Sequence, residues 1–156
     1  MKNRFLVSAG CAVLAVLWLA LGVGAQQEQS TYVGSAVCGE CHEEQYENFT
    51  KYAKKSHSDH SIKIMASDLT PQEVQECYSC HTTGYGRPGG FVSFEQTPEM
   101  GHAGCEVCHG PGSEHAEQGD PELIKRKLTM DDCTSCHNEE RVGAFNFKPL
   151  IYGGAH

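Results

Sequence analysis

Eight cysteines fall into four pairs: Cys38 and Cys41, Cys77 and Cys80, Cys105 and Cys108, Cys133 and Cys136. Each pair encloses two residues and is followed at once by a histidine: His42, His81, His109 and His137. Two thiols three residues apart can reach the two vinyl groups on one edge of a porphyrin, and the next residue then brings its imidazole beneath the iron. C-x-x-C-H is the pattern of c-type haem attachment. Disulfides suit an exported chain and zinc ribbons also use C-x-x-C pairs, but neither needs a histidine after every pair. Histidine is 9 of 156 residues, so four such placements would arise by chance about once in 100,000 chains. The pattern predicts four covalently bound haem c groups, with electron transfer as their chemistry.

The second axial ligand of each iron must come from elsewhere. Five histidines lie outside the motifs: His57, His60, His102, His115 and His156. Met65, Met100 and Met130 are the only methionines after Met1. Four irons need at most four such ligands, so ligation by two histidines is expected, which gives lower potentials than His/Met ligation. Each of the five also has an ordinary reading as a surface histidine.

The elements that position these residues are short. Lys2 and Arg4, the apolar run Phe5 to Gly24 and the small residues Val23-Gly24-Ala25 read as a secretory leader cleaved after Ala25. The remaining residues, 26–156, then form one cytochrome domain, periplasmic or extracellular. A leader left in place would instead be a membrane anchor, since its apolar run is long enough to span a bilayer. Lys2 and Arg4 are the only charges in the leader, so the net charge of −8 becomes −10 without it. Such a chain repels nucleic acid and suits redox partner proteins with basic surfaces.

Tyr46, Phe49 and Tyr52 share one face of a helix expected over 43–55, which carries His57 at its far end. Thr70-Pro71-Gln72-Glu73 reads as a capping box with proline at the first helical position, opening the helix that delivers Cys77 to His81. The Gly- and Pro-rich segment 82–90 is a loop, and 91–94 a short strand. Asp120-Pro121-Glu122 opens a helix to about Leu128, and Thr129 and Asp132 cap the entry to the fourth motif. Lys51, Lys54 and Lys55, with Lys125, Arg126 and Lys127, form two basic groups on solvated faces. Aliphatic residues are few after the leader, so side-chain burial alone would not offset the ordering entropy. The expected fold is mostly α and loop-rich, with little or no β and a stack of haems as its core.

The stretches Cys77-Tyr-Ser-Cys-His-Thr-Thr-Gly-Tyr-Gly-Arg-Pro-Gly-Gly-Phe and Gly104-Cys-Glu-Val-Cys-His-Gly-Pro-Gly-Ser-Glu-His resemble the tetrahaem cytochrome c-554 family of nitrifying bacteria. The resemblance runs from Gly34 to about His137. It implies a mainly α fold with haems in closely spaced pairs, and electron transfer from hydroxylamine oxidoreductase. It also implies that His115 lies opposite His42 on the first haem and His57 opposite His137 on the fourth. The family leaves the second haem open, but here His102 replaces a small residue just before the third motif and could close that iron opposite His81. The family's third haem takes its distal histidine from a C-terminal extension, and the only histidine beyond the fourth motif here is His156.

Three functions follow. The first is an electron carrier with every iron six-coordinate. The second is a reductase of nitric oxide or hydroxylamine at one open iron, with His102 or His60 as proton donor. The third is a homopolymeric extracellular filament in which His60 or His156 of one subunit ligates a haem of the next.

Overall fold

The computed structural model describes residues 29–139. The expected leader and His156 lie outside that range. Seven short helices are present among the described residues: α1 (Ser35–Gly39), α2 (Glu43–Tyr52), α3 (Asp59–Met65), α4 (Pro71–His81), α5 (Cys105–His109), α6 (Ser113–Gln118) and α7 (Met130–Thr134). Single 3-10 turns occupy Lys54–His57, Ala66–Asp68, Pro98–Met100 and Pro121–Leu123. No described residue is in a β-strand. No helix of the described residues is long and apolar enough to cross a membrane.

Local chemistry explains where the longer helices start. Thr70 accepts from the Glu73 N–H, and Glu73 accepts from the Thr70 N–H at 2.8 Å, with Pro71 in the first helical position. Thr129 and Asp132 make the same reciprocal cap at α7. The helix expected over 43–55 stops at Tyr52, because Ala53 turns extended and starts a separate 3-10 turn ending at His57. Phe49 on its inner face is buried, whereas Tyr52 is exposed.

Two sequence expectations fail, the first for a local reason and the second for a tertiary one. Residues 91–94 form no strand. Their backbone is occupied locally: the Val92 N–H donates to Thr97 Oγ1 at 2.8 Å, and Ser93 Oγ accepts from Gln96 N at 3.2 Å. The helix expected from Asp120 to Leu128 shrinks to one 3-10 turn, after which Ile124 is extended. The Lys125 backbone bonds His109 instead: its N–H donates to the His109 carbonyl at 3.1 Å, and its own carbonyl meets His109 Nδ1 at 2.7 Å.

The apolar core is small. Phe49, Ala53, Ile62, Phe91, Met100 and Ala103 are the buried apolar residues among those described. Beside α4 the loop after the second motif forms an aromatic cluster, with Phe91 edge-on to Tyr78 at 5.0 Å and to Phe94 at 4.9 Å. That loop closes where Gly90 passes Gly84: a Cβ on Gly90 would lie 1.8 Å from the Gly84 carbonyl oxygen, so no other residue fits.

Candidate haem sites

Each C-x-x-C-H segment turns as a helix, and this puts the two thiols of a pair on one side. The His42 N–H donates to the Cys38 carbonyl at 2.9 Å, and the His137 N–H to the Cys133 carbonyl at 2.9 Å. Cys77 to His81 is the last turn of α4, and Cys105 to His109 is the whole of α5. The eight cysteines carry no disulfides. Among the described residues no three or more histidines, cysteines or carboxylates converge as a site for a bare metal ion.

The folded chain brings motifs together that are far apart in sequence. The Cys38 and Cys105 thiols lie beside each other, so the first and third motifs touch. This contact pushes Cys38 up and, with Ser35 adding to it, brings Cys105 down to about 6. Cys136 lies against Cys80, so the fourth motif meets the second; burial, then this contact, raises the Cys136 thiol to about 11. Burial pushes the Cys108 thiol up, and against the opposing pull of Lys55 the neighbouring Cys133 and Asp132 add to this, so the third motif lies near the fourth. Thioether formation would remove these thiols, but the adjacency of the pairs belongs to the fold.

The His42 and His115 rings face each other with centres 6.2 Å apart and planes 19° from parallel. Two imidazoles reaching one iron from opposite sides, each through a bond of about 2 Å, have centres about 6 Å apart. Three motif or candidate histidines are anchored through Nδ1 to a backbone carbonyl: His81 to Ser58 at 3.0 Å, His109 to Lys125 at 2.7 Å and His115 to Asp120 at 2.8 Å. With Nδ1 carrying the proton, Nε2 keeps its lone pair for a metal, which is how ligating histidines are usually oriented. The residues therefore fit haem.

The other candidates are placed less directly. His57 and His60 lie in an arrangement similar to that of His42 and His115, centres 5.9 Å apart and planes 27° from parallel, but neither belongs to a C-x-x-C-H motif. His102 packs on Phe49 at 5.9 Å; burial pushes its pKa down, and His57 adds to this against the opposing pull of Asp59. Burial, then the charge of Lys55, pushes His137 down as well. Lys55 is two residues before His57, so that segment lies near the fourth motif. The second basic group is not wholly solvated: Lys125 pairs with Asp132, and Arg126 lies 3.9 Å from Glu122.

Two functional residues had no sequence signal. Ser58 donates to the His81 carbonyl and accepts from the Ala103 N–H, both at 2.8 Å, which ties the His57 segment to the second motif. Glu106, between two motif cysteines, is 1% exposed in a chain rich in acidic residues on its surface.

Comparison with known proteins agrees with this geometry. The family model described as cytochrome c554 and c-prime matches residues 37–110, which span the first three motifs. Cytochrome c-554 of Nitrosomonas europaea is 26% identical over an alignment covering 97% of this chain and 73% of that protein. The multiheme cytochrome MtrC of Shewanella baltica is 27% identical over 48% of this chain and 15% of that protein. The solved structure of reduced cytochrome c554 from Nitrosomonas europaea shares the fold, with a TM-score of 0.59 and 19% identity over 82% of this chain and 86% of that one. The four motifs and these matches make the chain a multihaem c-type cytochrome similar to the cytochrome c-554 family, with covalently bound haem c and electron transfer as its chemistry.

Proposed function

We propose that the protein is an exported electron carrier with four haem c groups, attached through the four cysteine pairs and each held by two histidines. Haem supplies a one-electron couple at potentials set by its ligands and surroundings. The chain supplies the ligands and their orientation. His42, His81, His109 and His137 stand on the proximal side. His115 stands opposite His42, and the facing of these two rings at 6.2 Å is the observation that carries the reading. His57 serves the fourth site, supported by the nearness of Lys55 to His137. His102 serves the second, supported by its burial beside the segment that anchors His81. His156 serves the third. His60 stacks on His57 without a site of its own.

With every position filled no iron can bind a substrate, and the protein passes electrons between redox partners. The mass of the holoprotein counts the haems: four added haem masses are expected, and fewer overturns the reading. Electron paramagnetic resonance of the oxidised holoprotein then tests the ligands. Only low-spin signals, unchanged by nitric oxide, are expected. A high-spin signal lost on adding nitric oxide would show an open iron and replace the carrier with a reductase.

A further inference from the structure

Glu106 lies on α5 between Cys105 and Cys108 and is 1% exposed. Burying a carboxylate is costly unless it is well hydrogen-bonded. Here the backbone supplies the bonds: Oε1 accepts from Val33 N at 3.0 Å and Gly112 N at 2.8 Å, and Oε2 accepts from Gly34 N at 2.7 Å and Val33 N at 3.2 Å. Every partner is a donor, so the ionised, acceptor-only carboxylate is the form this cradle suits. The cradle is tight, since a Cβ on Gly112 would come within 3.2 Å of Oε1.

The donors come from two segments with functional ends. Val33 and Gly34 lead directly into α1, which carries Cys38. Gly112 leads into α6, which carries His115. One carboxylate thus holds the third motif, the first motif and the residue facing His42. Its two oxygens take these hydrogen bonds from backbone N–H groups, whose dipoles spread its charge.

We propose that Glu106 is a fixed buried anion that lowers the reduction potential of the haem on Cys105 and Cys108 and, less strongly, that of the haem on Cys38 and Cys41. This rests on the haem attachment proposed above. A negative charge in a low-dielectric interior stabilises the ferric over the ferrous state, which carries one positive charge less. The reach to the first motif follows from the Val33 and Gly34 bonds, and Glu106 lies close enough to Cys38 to add a little to the upward push on its thiol.

The test is a spectroelectrochemical titration at pH 7 of the haem-bearing full chain, wild type against Glu106→Gln and Glu106→Asp. Haem content by mass is measured first, so failure of the attachment reading is seen separately in the wild type. In Glu106→Gln, which keeps the shape and removes the charge, two of the four transitions are expected to move up. The larger shift should be about tenfold in the reduction equilibrium, or about 59 mV for one electron. Glu106→Asp keeps the charge and should keep wild-type potentials, although its shorter side chain bonds the cradle less well and lowers the melting temperature. Four unchanged transitions in Glu106→Gln, or an Asp variant displaced as far as the Gln variant, overturns the proposal. If Glu106→Gln does not assemble, Glu106→Asp decides alone: wild-type potentials support the charge, and an upward shift overturns it.

Discussion

The histidines differ in how they are held, and this matters more than their number. His115 has both marks of a ligand: a ring facing His42 and an Nδ1 anchored at the Asp120 carbonyl. Replacing it by alanine should convert one low-spin iron to high spin and let added imidazole bind there, which electron paramagnetic resonance would show. An unchanged spectrum would remove His115 from the ligand set. Ser58 is a second single-residue test. Its hydroxyl satisfies the N–H of buried Ala103. Ser58→Ala strands that donor and should cost about 1–3 kcal/mol, measured by chemical denaturation of the holoprotein. A smaller loss would mean that the bond to Ala103 is replaced by water. Neither Ser58 nor Glu106 could be picked out by type, because a lone serine and a lone glutamate are ordinary surface residues until the fold surrounds them.

Helices here are short mounts for ligands, and their caps do much of the work of fixing them. Thr70→Ala removes the cap of α4, which carries the second motif, and should cost about 1 kcal/mol in thermal or denaturant unfolding. Asp132 caps α7 and also pairs with Lys125, whose backbone clamps His109. The Lys125 ammonium, then the Thr129 N–H, hold Asp132 down at about 2 against an ordinary 3.8. A carboxylate depressed in the folded state stabilises above its unfolded pKa and loses that contribution as pH falls through the folded one. The melting temperature of Asp132→Asn should therefore fall below wild type at neutral pH, and the gap should close between about pH 4 and pH 2. A gap that stays constant with pH would mean that the charge is not what stabilises. The caps at Thr70 and Thr129 were legible because capping is local. The fate of residues 124–128 was not, because a helical pattern gave way to a pair of bonds with His109, 16 residues earlier.

At the scale of the molecule, the six buried apolar side chains among the described residues do not make a core for so many ordered residues. Each residue fixed costs about 1–2 kcal/mol of backbone entropy. The covalent haems and their ligands must supply the difference, so the chain produced without haem attachment should show little helical circular dichroism. A folded apoprotein would refute this. The same scale sets the pairing of motifs. Cys38 meets Cys105 and Cys80 meets Cys136, which brings the first motif to the third and the second to the fourth.

The sequence alone determined what is covalent and local. Four C-x-x-C-H segments, their helical turns and two capping boxes depend on neighbours within five residues, so residue type and spacing suffice. The mostly α, strand-poor architecture followed from the same local signals together with the scarcity of aliphatic residues. Tertiary structure decided which motif touches which, that His115 faces His42, and that Lys125 serves His109 with its backbone rather than continuing a helix. Those outcomes rest on contacts between segments tens of residues apart. They are selected by the summed hydrogen bonding and burial of the folded chain, and no local pattern encodes that sum.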